Sequence, residues 1–226
     1  MQLNKKVIVI TGASKGLGKA LAEAALREGS RVVRSARTIP RGISRHTPNE
    51  AWIRADVTKP SDMNRLAQSA VKMFGRIDIW INNAGTRIPH GPIENINIPR
   101  MHQMMEVNLF GILFGSRAAL VHMKRRRQGT IINILSTSAL NGRANSAAYC
   151  ASKYAATGFT KSLRLEVASK KISVIGVYPG GMRTHFFDEQ KPADYDAYMD
   201  PAYVAQRTIA NLKRANPQEE LIIKRR

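Results

Sequence analysis

The 226-residue sequence contains one cysteine, Cys150, and is poor in acidic side chains, with 16 Asp and Glu against 36 Lys and Arg. A lone thiol excludes an internal disulfide and a cysteine-rich metal site. No uninterrupted apolar stretch approaches the roughly 18 residues of a membrane span. Lys5-Lys6 is followed by a short apolar run that meets Thr11-Gly12 at once, which is not the pattern of a secretory signal. His46, His90, His102, His122 and His185 show no metal-ligand spacing, so no metal is expected. There is no internal repeat, linker or low-complexity segment, and the length suits a single domain over 1–226, since single domains commonly run to about 250 residues. Together these absences lead to the expectation of a soluble, cytoplasmic chain. What is present in excess is positive charge: the net +20 compares with about 2 to 8 in magnitude for a small soluble domain. Such a surplus fits either a solvated basic surface or a nucleic-acid or other acidic partner.

Apolar patterning alternates between strand and helix along the whole chain. Val7 to Ile10 is a β-branched run, and residues from about Gly16 to Glu28 repeat at helical spacing, with Gly29 as the stop. Arg31-Val32-Val33 begins a second strand, Arg37 to Asn49 reads as a loop because of Pro40, Gly42 and Pro48, and Trp52-Ile53 lies in a short third strand. A helix follows over Ser61 to Phe74, with Ser61 or Asp62 near its cap and Gly75 closing it, and Ile77 to Ile81 is a fourth strand. Met101 to about Arg127 and Ala147 to Lys170 read as long helices flanking a fifth strand, Thr130 to Leu135. Strand Ile172 to Tyr178, helix Pro201 to about Arg214 and strand Leu221 to Ile223 complete the chain. This order predicts an α/β fold: a Rossmann-like, doubly wound parallel sheet of about seven strands with helices on both faces.

Thr11-Gly12-Ala13-Ser14-Lys15-Gly16-Leu17-Gly18 lies between the first strand and the first helix. Glycines at that junction let the backbone turn tightly and let a pyrophosphate approach the helix N-terminus, whose free N–H groups favour anions. The spacing is G-x-x-x-G-x-G, and no G-K-[ST] follows, so a nucleotide-triphosphate loop is disfavoured. Further along come Asp56-Val57, Asn82-Asn83-Ala84-Gly85, Asn108 within Glu106-Val107-Asn108-Leu109-Phe110-Gly111, Ser136, Tyr149-Cys150-Ala151-Ser152-Lys153, and Pro179-Gly180-Gly181-Met182-Arg183-Thr184. In this order and on these elements, from about Val7 to Thr184, the motifs resemble those of the short-chain dehydrogenase/reductase family.

The resemblance implies a nicotinamide cofactor held by Gly12, Ser14, Lys15, Gly16, Leu17 and Gly18. Asp56 and Val57 stand at the adenine, and Asn83, Ala84, Gly85, Tyr149, Lys153, Pro179, Gly180 and Thr184 further along the site. In NAD-binding relatives a carboxylate ends the second strand and accepts from the ribose 2′-OH. Here that position is Ala36, followed by Arg37, with Lys15 in the glycine loop. A missing carboxylate and two cations suit a 2′-phosphate, so NADP(H) is expected. Arg34 either reinforces this site or faces solvent.

Tyr149 and Lys153 are four residues apart and share a helix face. A phenol titrates near ~10 and needs a neighbouring cation to act as an acid–base group at neutral pH. The resemblance implies Tyr149 as proton donor, with Lys153 as its cation and ribose contact. Ser136 polarises the substrate oxygen, and Asn108 kinks the helix and holds a water that passes protons to Lys153. Ser138 is a minor alternative to Ser136. His185 is a candidate substrate contact, and the segment of about 181–200, with Phe186, Phe187, Tyr195, Tyr198 and Met199, corresponds to a substrate lid with an apolar wall. Cys150 and the methionines Met101, Met104, Met105 and Met123 read as packing. The family's β2–β3 helix is missing from the Pro-broken loop.

The expected activity is hydride transfer between nicotinamide and a small carbonyl or secondary alcohol substrate. One alternative is reduction of 3-oxoacyl groups on an acidic acyl carrier protein, docked by Arg125, Arg126, Arg127, Lys170 and Lys171. Those arginines equally suit the negative end of a helix. Another is a non-catalytic nucleotide-sensing or nucleic-acid-binding protein, disfavoured by the presence together of Asn108, Ser136, Tyr149 and Lys153. The helices over about 101–127 and 147–170 correspond to the family's dimer interface, so a homodimer is expected, with a tetramer as the alternative.

Overall fold

The central predicted strands, such as Val7 to Ile10, are β-branched runs without polar alternation that are buried on both faces, whereas the last strand alternates and leaves Ile222 exposed. The computed structural model describes residues 1–39 and 47–225. Its strands are β1 (Val7–Thr11), β2 (Arg31–Ala36), β3 (Glu50–Arg54), β4 (Ile79–Asn82), β5 (Gly129–Ile134), β6 (Ile172–Pro179) and β7 (Glu220–Ile223). They form one seven-stranded sheet in the order β3-β2-β1-β4-β5-β6-β7, parallel throughout. The helices are α1 (Gly16–Arg27), α2 (Pro60–Phe74), α3 (Ile98–Met105), α4 (Gly111–Arg126), α5 (Ala147–Val167) and α6 (Pro201–Lys213). Pro40, Gly42 and His46 of the β2–β3 connection, and Arg226, lie outside the described residues.

Register decides which residues face which helices. Ile10, Ile81, Ile132 and Ile175 form a row across β1, β4, β5 and β6 that packs with α1 and α6. One residue away, Val33, Val9, Trp80, Ile131 and Val174 form a row that packs with α2, α4 and α5. Full burial of one such side chain is worth about 1.5–3 kcal/mol. A one-residue slip would turn every side chain of the slipped strand to the opposite helical layer, so the register is strongly specified.

Two helices differ from expectation. α2 begins at Pro60, with Lys59 at its N-cap and no side-chain cap; the proline ring presets the first helical φ. Ser61 and Asp62 sit inside the first turn, where Asp62 accepts from the Asp56 N–H at 2.9 Å and from Arg65 at 2.8 Å. The long helix begins three residues before Met101, where the Asn97 side chain accepts from the Arg100 N–H. A π-turn over Glu106–Phe110 interrupts it between α3 and α4.

From Ile98 to Arg126 this helical stretch is 29 residues long, and over its most apolar 18 residues its mean hydropathy is 1.3. By length and composition it could therefore cross a membrane, contrary to the expectation from uninterrupted apolar runs. Half of that window is buried, and Ala118, Ala119, Leu120 and Met123 pack on the sheet, as in a core helix.

The strand order changes direction between β1 and β4, and loops leaving the carboxyl ends of the strands diverge there into a crevice.

Candidate active site

The glycine loop is held open by its backbone conformation. Gly12 and Gly16 have φ of 65° and 55°, in the left-handed region that side chains rarely adopt. A Cβ at Gly12 would stand 2.8 Å from Ala84 Cα, and one at Gly18 would overlap the Gly12 carbonyl and the Asn83 amide. The Asn83 side chain donates to the Thr11 and Gly12 carbonyls at 2.9 and 3.1 Å. The Asn83 and Ala84 N–H groups donate to Thr11 Oγ1 at 3.1 and 3.2 Å. Asn83, expected to contact the cofactor, thus also braces the phosphate loop by tying the end of β4 to the end of β1.

This loop forms one end of a cleft of about 1190 Å³. The expected cofactor residues all line it: Gly12, Ser14 to Gly18, Arg37, Asp56, Val57, Asn83 to Gly85, Tyr149, Lys153, Pro179, Gly180 and Thr184. Asp56 accepts from the Thr58 N–H and hydroxyl at 3.0 and 2.9 Å. Ala36 ends β2, and the exposed side chains of Lys15 and Arg37 stand beside it without a carboxylate partner among the described residues. These cations, and a loop whose glycine positions exclude side chains, fit a bound dinucleotide phosphate. Arg34 does neither of the things expected of it. It is 7% exposed, ion-paired with Glu50, and its guanidinium lies 5.2 Å over the Trp52 ring.

At the other end of the cleft, Ser136 follows β5 and caps a short turn, its hydroxyl oxygen accepting from the Ser138 N–H at 3.1 Å. Tyr149 lies in the first turn of α5, and Lys153, 4% exposed, follows one turn later. The Lys153 ammonium donates to the Ile134 carbonyl at 3.2 Å and sits 6.0 Å from the Tyr149 ring centroid. Burial lowers the Lys153 pKa to about 8. Burial also pushes the Tyr149 phenol up to about 12, against the opposing effects of a hydrogen bond with Ser136 and the charges of Arg87 and Arg143. The arrangement is a neutral phenol, hydrogen-bonded to a serine, over a lysine that desolvation makes a ready proton donor.

Asn108 does not line the cleft. It is fully buried in the π-turn, its carbonyl oxygen accepting from the Thr86 N–H at 2.9 Å. Its amide donates to Thr86 O at 2.9 Å and to Ser152 Oγ at 3.1 Å, and Ser152 in turn donates to Tyr149 O at 2.7 Å. Asn108 lies in the π-turn that interrupts the long helix, and its side chain anchors the loop after Gly85 and the start of α5.

The lid region carries short turns at His185–Phe187 and Tyr195–Ala197, and Met182 pairs with Met199. Phe186 meets Tyr149 edge-on at 5.9 Å, and Phe187 packs on Tyr195 and Tyr198 at 6.0 and 5.3 Å. Phe186, Phe187 and Tyr198 form the wall. Met199 is instead buried in the core with α6, and Tyr195 stands behind Phe187 with its hydroxyl donating to Thr184 O. His185 lines the cleft and pairs with Asp188 at 3.0 Å.

Among the cleft residues to which the sequence assigns no role are Arg87, His90 and Arg143. Arg87 follows the N-N-A-G motif by two positions and Arg143 lies between Ser136 and Tyr149, so proximity to motifs was the available signal.

The short chain dehydrogenase family profile matches residues 6–194. An uncharacterised oxidoreductase of Bacillus subtilis is 33% identical over 223 residues, a match covering 92% of this chain and 62% of that protein. Among solved structures, a 3-ketoacyl-(acyl-carrier-protein) reductase from Brucella melitensis complexed with NADH superposes with a TM-score of 0.87 at 26% identity, covering 98% of each chain. An alcohol dehydrogenase from Thermococcus sibiricus complexed with 5-hydroxy-NADP gives 0.86 at 25% identity, covering 96% of this chain and 95% of that one. With the profile, the parallel sheet and the serine–tyrosine–lysine cluster in agreement, the chain belongs to the short chain dehydrogenase family of oxidoreductases.

Proposed function

We propose that the chain is an NADP(H)-dependent oxidoreductase that interconverts a carbonyl compound and a secondary alcohol, with Tyr149 as proton donor and acceptor. The observation that carries this reading is the convergence of Ser136, Tyr149 and Lys153 at one end of a cleft whose other end is the glycine loop. Ala36, Lys15 and Arg37 support NADP(H), because an unpaired cation pair without a carboxylate favours a 2′-phosphate over a ribose hydroxyl. The two structural relatives carry NADH and an NADP derivative respectively, so the choice rests on those three residues.

When bound, the nicotinamide supplies or accepts the hydride. The residues of the chain handle the oxygen and the proton. Ser136 donates a hydrogen bond to the substrate oxygen and shares the charge that develops there. The Tyr149 hydroxyl, neutral at physiological pH, gives its proton to that oxygen. Lys153, positively charged and close, stabilises the phenolate left behind and lowers the cost of the transfer. Asn108 holds Thr86 and, through Ser152, the backbone at Tyr149, and so positions the acid. A proton path from Lys153 to solvent past Asn108 belongs to this proposal. Alcohol oxidation uses the same groups in reverse.

Exposed Phe110, Val121, Tyr154 and Leu165, on the π-turn, α4 and α5, support a homodimer through these helices. The Brucella relative gives some support to a 3-oxoacyl substrate on an acidic carrier, but Arg126, one of the docking arginines, is engaged with Asp78 and the Ile77 carbonyl.

Tyr149→Phe tests the proposal. It is expected to lower kcat by about 10²–10⁴ while NADPH still binds, as read by quenching of protein fluorescence. Full activity in this variant would overturn the reading.

A further inference from the structure

The substrate end of the cleft carries two arginines that the hydride-transfer reading does not use. Arg87 is half-buried, and its partners are neutral: its guanidinium donates to the Gln190 carbonyl and side-chain oxygens, both at 3.1 Å, and lies 4.9 Å over the Phe187 ring. Arg143 lines the same cleft, exposed, and among the described residues its side chain has no carboxylate partner. Both charges act on the Tyr149 phenol, which places them at the reacting end and not at the glycine loop. The acids of the facing lid are taken: Glu189 is held by Arg100 at 2.7 Å, and Asp188 by His185 at 3.0 Å. Glu189 acts on Arg87 without forming an ion pair with it, so positive charge beside Tyr149 is only partly compensated, in a pocket whose remaining wall is Phe186, Phe187 and Tyr198. A guanidinium fork matches carboxylate and phosphate oxygens in bidentate geometry, and partial desolvation strengthens that match.

We infer that the substrate is a carbonyl compound that also carries an anionic group, a carboxylate or a phosphate, bound by Arg87 and Arg143 with its apolar body against Phe186 and Phe187. This inference rests on the hydride-transfer reading and deepens it.

A rigid ketone series tests it: 4-acetylbenzoate, its methyl ester and 4-acetylphenyl phosphate, each assayed for NADPH oxidation and for binding to the full chain by calorimetry. An anionic probe should exceed the ester in kcat/KM by about tenfold or more, and whichever anion gains more identifies the carboxylate or the phosphate as the group read. Arg143→Gln should bring that ratio to within about threefold of unity, mainly through KM. Arg87→Gln should act in the same direction and also loosen Gln190. If the ester is used as well as the anions, the inference is overturned and the hydride-transfer reading stands. If Arg143→Gln instead lowers all three probes equally and shifts the pH profile, the arginines serve to tune Tyr149, and the inference is likewise overturned. Calorimetric preference for the anions without turnover of any probe supports the anion site and counts against the hydride-transfer reading. Absence of both preference and turnover counts against both.

Discussion

Lys153 and Tyr149 are the two side chains whose environment most alters their chemistry, and the cause in both is burial. A lysine at about 8 gives up its charge in the folded chain before it does in the unfolded one, where the value is near 10.5. Between these values the unfolded state binds more protons, so this group makes stability rise with pH across that window. Tyr149 acts oppositely: its neutral form is favoured in the fold, and its contribution is lost as pH rises from 10 towards about 12. Lys153→Met removes the first effect. Relative to wild type, the variant should be most favoured below pH 8, with the difference shrinking by at most roughly 3 kcal/mol as pH rises through 10.5, as followed by urea unfolding of the cofactor-free chain. A difference independent of pH would contradict the depressed lysine. At the opposite end of the cleft, Arg37→Ala should weaken NADPH binding by about tenfold and leave NADH binding nearly unchanged, measured by fluorescence titration of both cofactors.

Between elements, polar side chains from strand ends tie the layers together. Asp78, at the entry to β4, is buried and accepts from the Val7 N–H at 2.9 Å and from Arg76 at 2.8 Å, with Arg126 at 3.4 Å and Lys6 at 4.0 Å. It thereby joins the start of β1 to the end of α4. Burial alone would raise its pKa, but the Val7 N–H, Arg76 and Lys6 outweigh this and hold it below 3.8. A depressed carboxylate contributes stability above its unfolded pKa and loses that contribution as pH falls through the folded value. Asp78→Ala should therefore cost about 2–4 kcal/mol near neutral pH, with the gap to wild type narrowing below 3.8. Chemical denaturation at several pH values measures this directly. On the opposite side of the sheet from α1 and α6, the π-turn has a comparable joining role. Within it Asn108 reaches Thr86 and Ser152 on α5.

Across the whole molecule, the charge surplus separates into cations with internal partners and cations without them. Arg34, Arg126 and Arg164 hold carboxylates or carbonyls of neighbouring elements. Lys15, Arg37 and Arg143 line the cleft without carboxylate partners among the described residues. A cleft with an excess of positive charge raises encounter rates with anions and does so less as salt rises. Between about 20 and 300 mM salt, kcat/KM for NADPH should fall severalfold while kcat stays nearly constant; steady-state kinetics at fixed pH checks this. An unchanged kcat/KM would mean that the surplus has no part in capturing the cofactor.

The sheet, its helices and most of the cleft were legible in the linear sequence because they depend on local chemistry. β-branched runs bounded by turn residues favour buried strands, glycines at Gly12, Gly16 and Gly18 mark a backbone that must stay bare, and Tyr149 and Lys153 share a face by helical spacing alone. Arg34 could not be placed in this way, since its partners Glu50 and Trp52 belong to the adjacent strand β3. The start of α2 at Pro60 was missed because Asp62, a good capping residue by type, is engaged by Asp56 and Arg65. Met199 suits a cleft wall by residue type, yet its pairing with Met182 turns it into the core beside α6. The sequence alone determined the layered α/β fold, because residue type and short spacing suffice for it, and its motifs, through their resemblance to a family, singled out Tyr149, Lys153 and the glycine loop as the proposed acid, its lysine and the phosphate site. Only the tertiary structure decided that Asn108 lies behind the cleft and that Arg87 and Arg143 face Tyr149, because those relations join segments distant in the chain that meet only when the strands are laid side by side.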